Sequence, residues 1–442
     1  ESYLARINYG FKSRYYIDAS WRTDGSSRFH PSDRWGHFWS VGASWRISEE
    51  QFMENTRQWL DNLTLKVSYG VQGNDNLGTY YAWQGLYDYT WPNATDAGAF
   101  VDKLENRKVT WEKNGNLNAG IEATMFGGRL GVSVEYYNRK TRDMLLNSPL
   151  PISTGFTGFN DNVGSLRNQG LEVSLRGTIL DKRDFRWDAT LMGSFNRNKV
   201  LSLTGGQDVI TSGIRVIEVG RPIYTFYLPK TAGVDPATGK QLYYAYWTQT
   251  VNDEGTLVNT RCDEYITDNV AMATLSKYYH ESREPKLFGS IGSTFTILKN
   301  IDVSFLTTYS IGGWVYDGLY NGSMYVQYAG NNWHKNAKRR WQKPGDKTDV
   351  PMLEVGGSYA TTSNSLIDAS YFAIKNITVG YTLPKRWLKK IDIESLRIYA
   401  TLDNIAMFNH MDGMDPQYNF TGSVAYSYTP SRVIAFGIDL NF

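Results

Sequence analysis

Ser431-Arg432-Val433-Ile434-Ala435-Phe436-Gly437-Ile438-Asp439-Leu440-Asn441-Phe442 closes the chain and decides its fold. Read two residues at a time, Arg432, Ile434, Phe436, Ile438, Leu440 and Phe442 fall on one face. Ser431, Val433, Ala435, Gly437, Asp439 and Asn441 fall on the other. Side chains alternate sides along a strand, so such a segment can turn one face to lipid and the other to water.

Working back toward the start, the same split recurs. Leu171, Val173, Leu175 and Ile179 oppose Glu172, Ser174, Arg176 and Thr178, and Leu130, Val132, Val134 and Tyr136 oppose Ser133, Glu135 and Tyr137. Leu63, Leu65, Val67 and Tyr69 oppose Thr64, Lys66 and Ser68; Leu117, Ala119, Ile121 and Met125 oppose Asn118, Glu122 and Thr124. The apolar rows rarely carry charge, which suits a bilayer wall, where a mid-depth Lys or Arg costs roughly 2–4 kcal/mol. One stretch breaks the pattern: in Ala369 to Leu383, Lys375 falls among Tyr371, Ala373, Ile377, Val379 and Tyr381. A β-bulge there would shift the register and move Lys375 inward.

The alternation predicts thirteen strands, at 3–11, 14–23, 38–48, 61–72, 114–126, 129–146, 168–180, 184–198, 286–298, 300–313, 369–383, 394–406 and 431–442. Their links alternate in length. Short ones contain Lys12-Ser13, Gly127-Gly128, Asp181-Lys182-Arg183 and Lys299-Asn300, with mid-sized ones at 49–60 and 384–393; long ones cover 24–37, 73–113, 147–167, 199–285, 314–368 and 407–430. In an up-and-down meander every second link lies on the same rim. Short periplasmic turns opposite long external loops describe an outer-membrane barrel, and a soluble sandwich has no reason to sort its loops so. The fold expected is therefore all-β, an antiparallel transmembrane up-and-down β-barrel. Single-chain bacterial barrels have even strand counts, and an open edge in hydrocarbon leaves unpaired backbone groups at several kcal/mol each. Thirteen strands therefore call for further strands from polypeptide outside this sequence.

Bulk composition agrees. The 442 residues carry a net charge of +2 with both signs dispersed, so nothing suggests nucleic acid. The 31 Tyr and 14 Trp suit a membrane interface, and equally the binding of sugars or peptides. There is no apolar run of 18 residues and hence no transmembrane helix, which a barrel would not display. No signal peptide opens the chain, and an N-terminal portion is expected upstream. The single cysteine, Cys262, reads as an inert loop thiol.

Enzyme signatures are missing. His30, His37, His280, His334 and His410 are scattered without an HExxH or a close pair, so no metal site is expected. There is no GxSxG elbow and no P-loop. Asp235-Pro236-Ala237-Thr238-Gly239-Lys240 lacks the alternating acids of a calcium loop and reads as a turn. No cofactor is expected, and the chain is read as no enzyme.

A series of short motifs resembles the SusC/RagA family of TonB-dependent outer-membrane transporters. In order these are Tyr9-Gly10-Phe11, Arg22-Thr23-Asp24-Gly25-Ser26-Ser27-Arg28-Phe29, Arg34-Trp35-Gly36, Trp45-Arg46-Ile47-Ser48, and Leu65-Lys66-Val67-Ser68-Tyr69-Gly70 with Gly73-Asn74. Thr110-Trp111-Glu112, Asn168-Gln169-Gly170-Leu171-Glu172 and Ala232-Gly233-Val234-Asp235-Pro236 with Gly239 follow. The series ends with Lys375-Asn376-Ile377-Thr378-Val379-Gly380-Tyr381-Thr382-Leu383-Pro384, Asp403-Asn404-Ile405, Gly413-Met414-Asp415-Pro416 and terminal Phe442. The resemblance implies that residues 1–442 are the C-terminal portion of a 22-stranded barrel, with the plug domain and first strands lying upstream. It also implies coupling to TonB through that missing N-terminal region, a SusD-like surface lipoprotein as lid, and import of oligosaccharide or oligopeptide. A passive porin, a surface adhesin barrel and a soluble glycan-binding module stand as alternatives.

The motifs divide between scaffold and ligand roles. Asp24-Gly25-Ser26-Ser27-Arg28 reads first as a loop stabilised by Asp24 or Arg28, and second as a ligand or lid contact. Lys66, Glu122, Glu135, Glu172, Arg176, Arg186, Asp188, Asp302, Arg397 and Asp439 face the lumen, where solvation and plug packing compete with substrate guidance. The long loops hold aromatic groups: Tyr80, Tyr81, Trp83, Tyr87, Tyr89 and Trp91; Tyr243, Tyr244, Tyr246 and Trp247; Trp314, Tyr316, Tyr320, Tyr325 and Trp333. Their rings either stack on substrate or pack the loops and the lid. Trp83, Tyr87, Trp91, Tyr244, Trp247, Trp314 and Trp333 are the substrate-binding candidates. Tyr15, Trp21, Trp39 and Trp45 are expected in a membrane-interface girdle.

Overall fold

In a computed structural model, described for residues 1–203, 208–324, 332–354, 359–388, 393–411, 414–417, 421–424 and 428–442, one antiparallel sheet dominates. Its strands are β1 (Ser2–Phe11), β2 (Tyr15–Gly25), β3 (Trp35–Arg46), β4 (Leu60–Asn74), β5 (Glu112–Met125), β6 (Leu130–Arg142) and β7 (Ser165–Lys182). They continue with β8 (Phe185–Ser202), β9 (Leu287–Ile297), β10 (Ile301–Ile311), β11 (Tyr371–Thr382), β12 (Ser395–Asn409) and β13 (Val433–Asn441). Each pairs with the next in chain order, giving a thirteen-stranded meander. Every strand expected from the alternation is present, and the links sort by rim as expected.

The turns of the short-link rim are tight. Lys12 and Ser13 have φ of 51° and 54°, and Leu298 and Lys299 have 51° and 64°. Left-handed pairs of this kind match the twist of the flanking strands in two-residue hairpins.

Cross-strand partners share a face, so the register fixes which residues stand together. Val134 is opposite Val173 and Ile121, and Ile438 is opposite Ile398, which is opposite Tyr381. This apolar face points away from the protein: Phe436 is 82% exposed. The other face is concave. Its hollows are lined by Gly, Ser, Thr, Asn and charged groups, among them Asp18, Ser44, Lys66, Gly120, Glu122 and Glu135. Lys66 pairs with Glu122 at 2.5 Å, and Arg186 with Asp188 at 2.7 Å. All ten charged residues expected in the lumen lie on this face.

Aromatic rings mark both rims of the apolar face. Tyr15 stacks on Trp45 at 6.4 Å, and Phe11 on Tyr15 at 6.5 Å, near the short turns. Trp21 stacks on His37 and Trp39 approaches Tyr69 at 5.6 Å, nearer the long loops. The strand from Tyr15 to Trp21 runs about 20 Å at ~3.3 Å per residue. That is close to the apolar band of ~25 Å that such barrels present.

Lys375 sits at a bulge. On one side Leu306 pairs with Asn376 and Thr307 with Ile374, and on the other Ala406 pairs with Ile374 and Asp403 with Asn376, so both ladders pass Lys375 over. Its ammonium reaches Gln417 at 2.7 Å. The bulge also corrects the expected apolar row. Below it Ile377, Val379 and Tyr381 hold the lipid face; above it the parity flips, so Phe372 and Ile374 take that face. Tyr371 and Ala373, expected outside, stand inside.

The two edge strands, β1 and β13, each pair on one side only, and the sheet is open.

Candidate functional site

The long-loop rim is where the chain departs from a plain wall. The glycine-rich motifs there act as clamps. Phe38, on β3, lays its ring where a Cβ on Gly73 would stand 2.0 Å away and one on Gly36 2.4 Å away. Only glycine leaves room for it. Phe38, Phe29, Val109 and Trp111 form a buried cluster, and the Trp111 indole N–H donates to the Arg34 carbonyl at 2.9 Å. Ser26 and Arg28 both bind Asp75, in the next loop over, and Arg28 also covers the Tyr80 ring at 4.8 Å. Asp24 instead pairs with Arg22 along its own strand. The Asp24–Arg28 motif is thus scaffold, and Glu112 extends it by accepting from Asn74 and from the Leu145 backbone.

The turn at Asp235 is built the same way. Its carboxylate accepts from the Ala237 N–H at 2.9 Å and the Thr238 hydroxyl at 2.6 Å, which hold it below the usual carboxylate range, the hydroxyl bond contributing most. Gly239 has φ of +74°, and a Cβ there would meet the Trp341 ring at 2.4 Å. The Trp341 indole N–H donates to the Pro236 carbonyl, so two different long loops meet on this turn.

Three polar contacts tie the long loops to the wall and to each other. Asn198 pairs across the wall with Asn168, on the face opposite Leu171, and its amide oxygen accepts from the Ile223 N–H at 2.9 Å. Arg283 donates to the Pro416 carbonyl at 2.7 Å, and Lys375 holds Gln417. Ile223 is therefore held at the inner side of the wall, and Pro416 and Gln417 are tied to Arg283 and to the bulge of β11.

Between residues 221–225 and 279–282 on one side and Trp314, Ser363 and Leu366 on the other lies a cleft of about 620 Å³, lined also by Glu281. Arg221 lies 3.7 Å from the Tyr279 ring centroid and binds Glu218 at 2.7 Å; Tyr279 packs on Tyr227 at 4.9 Å. Burial, followed by the Glu218 carboxylate, pushes the Tyr279 phenol up, while burial pushes His280, beside the Leu228 carbonyl, down. Ring faces, a guanidinium and hydroxyls suit reversible binding.

The seven candidate rings do not gather in one place. Trp314 lines this cleft and packs against the buried cluster of Phe226, Leu228, Tyr316 and Leu366. Trp83 packs against the Phe29 cluster and meets His30 edge-on at 5.1 Å. Tyr87 and Trp91 are 59% and 66% exposed on the segment 86–103, where Trp91 meets Phe100 edge-on. Tyr244 lies under Lys230 at 4.3 Å. Trp247 belongs to the strand 241–251, its backbone bonded to Ser276 and Tyr265. Trp333 is 38% exposed, and Tyr325 lies outside the described residues. Neighbouring Tyr243 is buried, and Tyr246 donates to the Lys277 carbonyl, its phenol pushed up to about 12 mainly by burial. Arg221 and Tyr279 were not legible in advance, because only cross-strand pairing between 225–229 and 277–282 brings them together.

A family model described as TonB dependent receptor-like, beta-barrel, matches residues 2–405. The TonB-dependent receptor SusC of Bacteroides thetaiotaomicron is 29% identical, covering 100% of this chain and 43% of the relative. TonB-dependent receptor P26 of Formosa agariphila is also 29% identical, with 100% and 46% covered. The solved structure of the RagAB peptide transporter superposes with a TM-score of 0.85 at 30% identity, over 100% of this chain and 47% of that one. The chain spans about half the length of the curated relatives it matches.

Proposed function

The chain belongs to the TonB-dependent receptor β-barrel family, and on that premise we propose that it takes part in energy-driven import of oligomeric nutrients across the outer membrane. Its thirteen strands form part of a ring of about 22, closed by strands and filled by a plug from polypeptide outside residues 1–442. Energy enters through TonB, which contacts that other part. One observation supports this reading: a long loop attaches to the polar, concave face through Asn198, while Arg283 and Lys375 tie a second long loop to the first and to the bulge of β11. Loops that served only adhesion would have no reason to fold inward.

The cargo is an oligopeptide or an oligosaccharide. RagAB is a peptide transporter, and the cleft of Arg221, Tyr279 and Trp314 combines rings with polar groups that suit either a peptide or a sugar chain. The exposed rings Tyr81, Tyr87, Tyr89 and Trp91 form the surface for a SusD-like lipoprotein lid, since amphipathic rings supply interface contact area at low entropic cost.

Growth of the parent bacterium tests the proposal. Deleting the gene, or uncoupling TonB, abolishes growth on one class of oligomer while its monomers still support growth. Unimpaired growth of both mutants on every polymer supplied would refute it. A stable open pore in planar bilayers, without energy input, would favour a porin.

A further inference from the structure

The lipid-facing wall is not evenly filled. Across β7 to β12 one row of directly opposed residues reads Val173, Gly193, Gly289, Tyr309, Phe372 and Phe408. The Tyr309 side chain reaches across Gly289 toward β8: a Cβ on Gly289 would stand 2.7 Å from its hydroxyl, and one on Gly193 3.4 Å. That hydroxyl donates to the Met192 carbonyl at 3.0 Å, which satisfies its one polar group within the wall. Leu191 and Ile291 form the next row toward the short turns, and Leu287 and Ile311 the next toward the long loops. Together with Phe408 they enclose a hollow of about 730 Å³ that ends, at the long-loop side, at His410. Ile311 and Phe408 are 52% and 61% exposed, so no loop among the described residues covers its rim.

We propose that this hollow holds one acyl chain of an outer-leaflet membrane lipid, with the lipid's polar head at His410. Its length fits one leaflet. Leu191 and Ile291 are level with Ala406 through Thr307 and Ile374. From Ala406 to His410 the strand rises about 13 Å at ~3.3 Å per residue, close to half of a hydrocarbon core of ~30 Å. The hollow opens at the long-loop rim, which is the cell-surface side. Its polarity is graded in the same sense. Leu191, Ile291 and the Tyr309 ring make the deep end apolar. At the upper end the Ser370 hydroxyl donates to Asp368, and the Asn409 amide donates to the Met414 carbonyl and accepts from the Met411 N–H. Exposed His410 is left to meet a headgroup. Within a bilayer a chain gains no hydrophobic burial by leaving its neighbours. The preference comes from filling: an empty hollow forfeits dispersion contacts, and a flexible chain restores them. Lipid seated here touches neither the lumen nor the cargo.

The full-length protein, stripped of lipid in dodecyl maltoside, is given dioleoyl phosphatidylethanolamine and examined by native mass spectrometry. One lipid is expected to remain on wild type at collision energies that remove the rest. Leu287→Trp/Ile311→Trp fills the hollow from both strands and lowers that retention about tenfold. Ile121→Trp, on the same face but away from the hollow, keeps it. Should the filled variant fail to assemble, p-benzoylphenylalanine in place of Phe408 captures the lipid several-fold more than the same group in place of Ile121. Equal retention by wild type and the filled variant, or equal capture at the two positions, means ordinary bilayer contact and overturns the proposal. Wild type that retains no lipid overturns it too; if such protein is a dimer that separates when the hollow is filled, a second copy occupies the place.

Discussion

Gly239 carries two constraints at once. Its φ of +74° excludes most side chains sterically, and the Trp341 ring occupies the place of a Cβ. Gly239→Ala is expected to weaken the docking of the two loops by about 1–3 kcal/mol, read as faster amide exchange over residues 235–240. Asp235 makes the same turn sensitive to acid. Its hydrogen bonds depress the folded-state pKa, so its contribution is complete above the unfolded value of about 3.9 and disappears as pH falls through the folded value. Protection of 235–240, corrected for intrinsic exchange, is expected to fall below about pH 4 in wild type and to be low already at pH 7 in Asp235→Ala. Acid resistance of that segment would contradict this account. On the wall, Gly380 leaves the gap through which Arg397 reaches Asp302: a Cβ would stand 2.5 Å from the carboxylate and 2.6 Å from the guanidinium. Gly380→Val should break this bridge between β10 and β12 and lower the heat-modification midpoint, with a cost of about 1–3 kcal/mol.

At the scale of the element, β11 is organised by its bulge. Eleven of its twelve residues alternate, and the twelfth, Lys375, resets the parity. Without that reset, Phe372 and Ile374 would enter the polar lumen while Tyr371 and Ala373 met lipid. Deleting Ile374, which closes the bulge but sets Lys375 on the lipid face, is therefore expected to impair assembly more than deleting Lys375, which closes it and leaves every facing unchanged. The fraction of protein migrating as folded barrel on unheated gels measures this, and equal fractions for the two variants would remove the argument. The loop motifs behave alike as elements. Phe38 over Gly36 and Gly73, and Trp341 over Gly239, each seat a ring from one segment on glycine in another. Rings can approach a backbone so closely only where no Cβ stands, which explains why these glycines recur beside Trp, Arg and Asn in the motif series.

For the whole molecule, the exposed edges of β1 and β13 set the requirement. Each presents a row of backbone N–H and C=O groups to hydrocarbon, at several kcal/mol per unsatisfied group. Residues 1–442 expressed alone are thus expected to fail to insert as a heat-modifiable monomer. Recovery of such a monomer would mean that the thirteen strands close on themselves. The charges of the lumen are laid out on the same scale: Glu135 stands directly opposite Glu172, while Arg129 and Arg176 lie nearer the short turns.

The thirteen strands, their order and the sorting of their links by rim were legible in the residues alone. Alternation is a property of consecutive side chains, and a wall with lipid on one side and water on the other imposes it locally. The ordered motifs were legible too, and they pointed to the family. Their roles were not: whether Arg28 meets a ligand or Asp75, and whether Trp314 and Trp83 are free rings or packed ones, depends on segments far apart in the chain. The facing of Tyr371 and Ala373 belongs to the same class. A bulge adds one residue against a partner strand, so its effect exists only where that partner is paired, and a single strand read by itself holds no record of it.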